Sequence, residues 1–313
     1  MTKQPAVINS RRLDSGRSYL KRSWMIYSML LFPMAYFIIF KYIPMMNIVM
    51  AFQDFSIFKG VQGSPYVGFK HFIRAFGQRD FINAVRNTIT LNVLDLIVGF
   101  PAPIILAILL NELVFKRFKR VMQTIVYMPH FLSWIIISGI AMQLFAPGGG
   151  VVNKILESMG LGRVDLLMDK RNWVGTYVFL GLWKEIGWNT IIYLAAITGI
   201  SAELYEAAEV DGANRLRKIW HITLPGLRPT IVVLLIMSLG RILGIEFDRP
   251  YVMSNTMVME VADVISTYVY RTGVRSRQYS YATAIGLFQS VICVAFLVIA
   301  NSLSKKFGER GIW

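Results

Sequence analysis

Charge, amide and aromatic groups recur at helical spacing within one apolar run, as Trp183, Lys184, Glu185, Trp188, Asn189 and Tyr193. Trp188 falls one turn after Lys184, and Asn189 one turn after Glu185, so these four cover one broad face of a helix. An ionisable group at a bilayer centre costs ~3 kcal/mol or more, so it faces protein or a water-filled path. Two readings stay open. In one, the stripe lines a sugar path, with indole faces against C–H faces and amide or charged groups on hydroxyls. In the other, Lys184, Glu185, Arg241 and Asp95 neutralise one another between helices. Glu246 and Asp248 lie near the outer end of a span, where interfacial exposure accounts for them. His130, beside Pro129, reads as a packed, hydrogen-bonded residue, and Met253, Met257 and Met259 as adaptable packing rather than copper ligands.

Bond-making chemistry has no candidate. The histidines, 71, 130 and 221, fall in separate segments, and Cys293 is the lone cysteine. That excludes an intrachain disulfide and gives no metal set. There is no nucleophile elbow and no Gly-x-x-x-x-Gly-Lys-Ser/Thr phosphate loop. The reading is a non-enzyme with no catalytic residue, metal or cofactor of its own.

Residues 201–229 form a charged segment between two apolar runs. Ser201 can cap a helix whose first turn carries Glu203 and Glu206, suited to the positive end of the dipole. Glu209 and Asp211 continue the acidic face. Gly212 permits a backbone turn that a Cβ disfavours. A second helix then shows Leu216, Ile219, Trp220 and Thr223 at helical spacing, with Arg215, Arg217 and Lys218 toward water, and Pro225 and Pro229 are expected to stop it. A membrane protein that keeps such a segment in water presents it to a soluble partner.

The elements that position these groups are read from composition. The chain has 313 residues, 55% hydrophobic and 16% charged, too apolar for an ordinary soluble domain. Six runs reach the ~20 residues a bilayer requires: 24–48, 88–112, 121–145, 173–198, 229–249 and 279–303. Continuous runs such as Ile104–Leu110 argue for helices rather than barrel strands. The expectation is an all-α, six-span membrane protein: a basic tail over 1–23, one transmembrane domain over 24–303 holding the loop 199–228, and a tail over 304–313. With the N-terminus inside, more Lys and Arg fall inside than outside, and Lys116, Arg117, Lys119 and Arg120 crowd one short loop. Both termini and the loop 199–228 are therefore expected in the cytoplasm. The net charge of +15 reads as charge at membrane lipid headgroups, not as nucleic-acid binding, because no basic stretch is long or aromatic-interleaved. Lys41 and Pro44 suggest that the first span kinks or ends there, and the Pro101/Pro103 pair suggests a break in the second. The residues Tyr66–Phe76 and on to Val85 read as short amphipathic outer helices.

The spacing of Glu206-Ala207-Ala208, Gly212, Ile222, Leu224 and Pro225 resembles the EAA loop of permease subunits of binding-protein-dependent ABC importers. The resemblance extends to the six-span layout. Leu-Tyr-Glu-Ala-Ala-Glu-Val-Asp-Gly-Ala is similar to the carbohydrate branch, and Tyr127–Phe131 and Gly308–Trp313 are similar to its polysaccharide and oligosaccharide permeases, alginate-type importers included. The resemblance implies a type I importer permease fold in the plasma (inner) membrane. It implies that Glu206, Ala207, Ala208, Asp211 and Gly212 dock on a separate ATPase. It also implies a second homologous permease, two ATPase subunits carrying ATP and Mg, and an extracytoplasmic solute-binding protein. The chain would then form half of the path for an oligosaccharide or polysaccharide. The alternative is an ion-coupled secondary transporter, which would want repeated halves with broken helices; no repeat is present. A membrane-bound enzyme such as a glycosyltransferase would need an acidic cluster at a membrane face, and Glu203–Asp211 is better read as a docking helix.

Overall fold

The computed structural model describes residues 23–306, so the expected tails and the Gly308–Trp313 string lie outside the described residues, Ser23 and 304–306 excepted. Among the described residues the only β pairing is one isolated bridge, Gln53 to Tyr66, and the chain is otherwise helices and turns. Helix α1 covers Trp24–Phe52, and a short α2 is Lys70–Phe76. Helix α3 is Arg79–Asn111. Two helices follow, α4 (Lys116–Phe131) and α5 (Trp134–Phe145), then a short α6 (Val151–Ser158). Helix α7 is Lys170–Thr198, α8 is Ala202–Val210 and α9 is Arg215–Leu239. Short helices α10 (Asp248–Met253) and α11 (Ile265–Tyr270) precede α12, Tyr279–Lys306.

Four of these helices, α1, α3, α9 and α12, are long and apolar enough to cross a bilayer alone; counting the bent pairs α4–α5 and α7–α8 as one span each gives six. The 33 residues of α3 reach roughly 50 Å at ~1.5 Å per residue, more than a ~30 Å hydrocarbon core. It starts at Arg79, and the stretch to Val85 belongs to this long helix rather than to a separate surface helix. Pro101 interrupts its ladder at Phe100 without splitting the rod.

Proline explains the departures from the expected layout. Lys41 and Pro44 do not end the first span. A π-turn over Ile38–Tyr42 precedes Pro44, and Ile43 donates to the Ile38 carbonyl five residues back. The same device recurs over Ile219–Thr223, where Leu224, the residue before Pro225, donates to the Ile219 carbonyl. A wide turn moves the carbonyl that a proline ring would strike, so the helix passes the proline although its ladder donor is missing. Pro225 and Pro229 therefore do not stop the helix: the basic helix of the charged segment and the fifth span are one rod, α9. That rod ends at Leu239, so 229–249 is not one span, and Arg241 and Glu246 sit in an irregular stretch past its end. The third span, 121–145, is not a single helix either. Leu132 and Ser133 are extended, Ser133 caps α5 by accepting from the Ile136 amide (3.3 Å), and the axes of α4 and α5 meet at 102°.

Packing holds three apolar clusters. The first joins Trp134 and Ile137 of α5, Trp173, Tyr177 and Leu180 of α7, and Met253, Val258 and Val264. The second places Phe81 and Ala84 of α3 with Ile242, Leu243, Ile265, Tyr268, Tyr281 and Ile285. The third is Ala107, Tyr193, Ile197 and Leu227. No residue of Trp24–Phe37 is buried.

Candidate functional site

Helix α7 carries two different rows. Tyr177, Gly181, Glu185, Asn189 and Tyr193, each four residues after the last, line a cavity of about 450 Å³. The opposite wall is Asn92, Asp95 and Phe100 of α3, and α9 contributes Leu234, Met237 and Ser238. Arg241, Glu246 and Arg249 complete it from the chain beyond α9. Of the residues expected on a path, Glu185, Asn189 and Tyr193 therefore share this lining.

Lys184 and Trp188 form the neighbouring row and serve the break between α4 and α5. Lys184 is 7% exposed, and its Nζ donates to the carbonyls of His130 and Leu132, which the broken helix leaves without ladder partners. The His130 ring stacks on Trp188, with centroids 4.3 Å apart and planes 3° from parallel. His130 Nδ1 meets the Glu185 carboxylate at 3.0 Å, and Lys184 stands 3.7 Å from the same group. His130 is thus packed and hydrogen-bonded. Trp183 is partly exposed on a third face and lines neither the cavity nor the break.

Asp95 is not neutralised by Lys184 or Arg241. Its partner is Arg249, whose two Nη atoms reach the two carboxylate oxygens at 2.6 and 3.1 Å. The same guanidinium donates to the Tyr177 carbonyl and lies 3.6 Å from the Tyr177 ring centroid and 5.2 Å from that of Trp134. Gly181 makes this possible, because a Cβ there would run into the guanidinium. Gly187 likewise admits the Val126 carbonyl against α7. Arg249 is 154 residues from Asp95, and nothing local in the sequence announces the pair. The glycine one α-turn from both Tyr177 and Glu185 is the only sequence trace of it.

The irregular stretch beyond α9 is held by side-chain amides. Asn92 Nδ2 donates to the Ile242 carbonyl (2.7 Å) and Gln289 Nε2 to the Leu243 carbonyl (2.6 Å). Non-helical backbone next to a membrane-spanning helix persists where protein satisfies its polar groups in this way.

At the other end of α7 the chain bends by 69° into α8. Ser201 caps α8, accepting from the Glu203 amide. Gly212, at φ +73°, closes it: Ala213 N–H reaches the Ala208 carbonyl (2.8 Å) and Gly212 N–H that of Glu209 (3.0 Å), a Schellman closure. Asn214 then caps α9 through the Arg217 amide (2.9 Å). Two contacts clamp α8 to α9, Tyr205 Oη with Thr223 Oγ1 (3.0 Å) and Lys218 with Glu209 (2.6 Å). The Lys218 ammonium holds the Glu209 carboxyl below the usual carboxylate range. No residue of α8 is buried: Glu206 and Ala207 are exposed, Ala208 is half-buried, and Val210 is 89% exposed. Glu206, Ala207, Ala208, Asp211 and Gly212 thus lie together on one projecting helix and its turn.

Residues 99–309 match the family model described as "Binding-protein-dependent transport system inner membrane component". The chain is 44% identical over 288 residues to the polygalacturonan/rhamnogalacturonan transport system permease protein YteP of Bacillus subtilis (strain 168), covering 92% of this chain and 90% of that protein. It is also 44% identical over 307 residues to Protein LplB of the same organism, covering 98% and 96%. Among solved structures, a chain of a bacterial alginate ABC transporter in complex with alginate pentasaccharide-bound periplasmic protein superposes with a TM-score of 0.86. The identity there is 42%, over 94% of this chain and 98% of that one.

Proposed function

The chain belongs to the inner-membrane components of binding-protein-dependent transport systems, and from that premise we propose that it forms half of the path of an ATP-driven saccharide importer. A second homologous permease supplies the other half. Two ATPase subunits hold ATP and Mg, and an extracytoplasmic solute-binding protein delivers the saccharide. Both termini and the loop 199–228 lie in the cytoplasm. The substrate class rests on the named relatives, which transport polygalacturonan/rhamnogalacturonan and alginate. None of the relatives named above supports the ion-coupled alternative.

One observation carries the mechanism. Helix α9 begins at the turn that holds α8 and ends on the cavity wall, so a single rod of 25 residues, roughly 37 Å, joins the two. The Schellman turn, the Tyr205–Thr223 bond and the Glu209–Lys218 pair make α8 move with it. An ATPase that grips α8 on closing its nucleotide dimer therefore displaces Leu234, Met237 and Ser238 at the cavity. Two such subunits opening and closing together give alternating access.

The test is ATP turnover by the full complex in liposomes, with solute-binding protein and a panel of saccharides. Stimulation by a loaded binding protein, lost in Glu206→Lys with assembly retained, is expected. Absence of stimulation by any saccharide would sink the importer reading.

A further inference from the structure

Charge bookkeeping inside the cavity singles out one residue. Five fixed charges line it: Asp95, Glu185 and Glu246 against Arg241 and Arg249. Three of these are already matched. Arg249 holds Asp95 through two hydrogen bonds, and Glu185 faces His130 and Lys184. Glu246 and Arg241 are both exposed, and neither has an ion pair or a side-chain hydrogen bond among the described residues. Arg241 is the cation without a carboxylate. It sits just past the end of α9 on anchored backbone: Ile242 and Leu243 are both buried in the second apolar cluster, and Asn92 and Gln289 hold their carbonyls. A guanidinium left unpaired on a cavity wall between membrane-spanning helices is costly unless a water-filled path or a ligand meets it. Its planar fork fits a carboxylate through two parallel hydrogen bonds, which a hydroxyl cannot match.

We infer that Arg241 reads an anionic group on the transported saccharide, a uronate carboxylate, and so sets the preference of this half of the path for acidic over neutral sugars. Glu246 works against it, as the unmatched negative charge in the same cavity. The inference rests on the importer function proposed above and deepens it. Arg249 cannot share the role while Asp95 occupies its fork.

The experiment measures saccharide binding to the complete permease–ATPase complex without its solute-binding protein, so that discrimination belongs to the membrane path. The probes are a short oligogalacturonate and its carboxyl-reduced, neutral counterpart. Wild type is expected to bind the acidic probe more tightly. Arg241→Ala should weaken the acidic probe about tenfold or more, the size of one charge-assisted contact, and shift the neutral probe by less than about twofold. Arg241→Lys should keep part of the preference, since it retains charge without the fork. Glu246→Gln should move the ratio the other way, toward the acidic probe, an opposite sign that a structural role for either residue does not produce. Equal losses for both probes in Arg241→Ala, or an unchanged ratio in both variants, would overturn the inference. So would wild type that prefers the neutral probe or binds neither. The importer function is judged separately, by saccharide-stimulated ATP turnover, and stands if that stimulation persists while the preference fails.

Discussion

At the scale of single residues, neighbours on α7 do different work because adjacent positions are ~100° apart. Lys184 supports the backbone and Glu185 faces the cavity, though both carry charge in the same turn. Lys184→Met should therefore orphan the carbonyls of His130 and Leu132, at a cost of about 1–3 kcal/mol for each one left unsatisfied. The expected outcome is a lower thermal midpoint and less assembled complex. Trp188→Ala removes a stacked ring from His130, a change of about 0.5–1.5 kcal/mol. It should be milder in the same assay; a Trp188→Ala complex that assembles well yet loses saccharide stimulation would instead place the indole on the path. Gly181→Val should push the Arg249 guanidinium off Asp95 and leave two half-buried charges to be hydrated or repacked. We expect a loss of complex at least as large as that of Asp95→Asn; a variant as stable as wild type would show that the guanidinium has another place to go.

At the scale of elements, the charged segment was legible in the sequence and its continuation was not. Ser201 and Gly212 are residues whose local chemistry fixes a cap and a left-handed turn, and each does so. Pro225 and Pro229 carry equally strong local chemistry, yet the helix runs through them. The π-turn that accommodates Pro225 is set by tertiary fit: Gly226 lies against Ile200, and Thr223 is buried under Tyr205. The Asp95–Arg249 pair was illegible for a related reason, since a contact between residues 154 apart leaves no periodic trace. On the cavity, the residues Glu185, Asn189 and Tyr193 were found by type, but which face they shared required the position of α3. The π-turn gives a prediction at this scale. Pro225→Ala restores a donor for the His221 carbonyl, making an ordinary α-ladder available and one residue of rotation, ~100°, possible between α8 and the cavity end of α9. Transport per ATP hydrolysed should fall while insertion and assembly persist. An unchanged transport-to-hydrolysis ratio would mean that the π-turn plays no part in the linkage.

At the scale of the whole molecule, the chain has the form of a part. A polar cavity is walled by α3, α7 and α9, α1 buries nothing along Trp24–Phe37, and α8 projects with no buried residue. Lipid accounts for bare apolar faces, because hydrocarbon solvates them as well as protein does. It does not account for α8, whose acidic and small residues suit water or a soluble protein surface. Orientation then decides which compartment that protein occupies. The Lys and Arg near the ends of the spans favour the cytoplasm for α8, with Lys116, Arg117, Lys119 and Arg120 at the start of α4 on the same side. Val210 reports on both orientation and docking, being 89% exposed at the last position of α8 and next to the turn. In a Cys293→Ala background, a cysteine introduced as Val210→Cys should resist an impermeant thiol reagent added outside intact cells. It should react in inside-out vesicles that hold the permeases alone, and lose that reactivity, by about tenfold or more as a rough mark of burial, once the ATPase subunits are co-expressed. Labelling from outside would invert the topology and remove the ATPase from reach of α8. Labelling from inside that the ATPase leaves untouched would keep the topology and move the docking surface elsewhere.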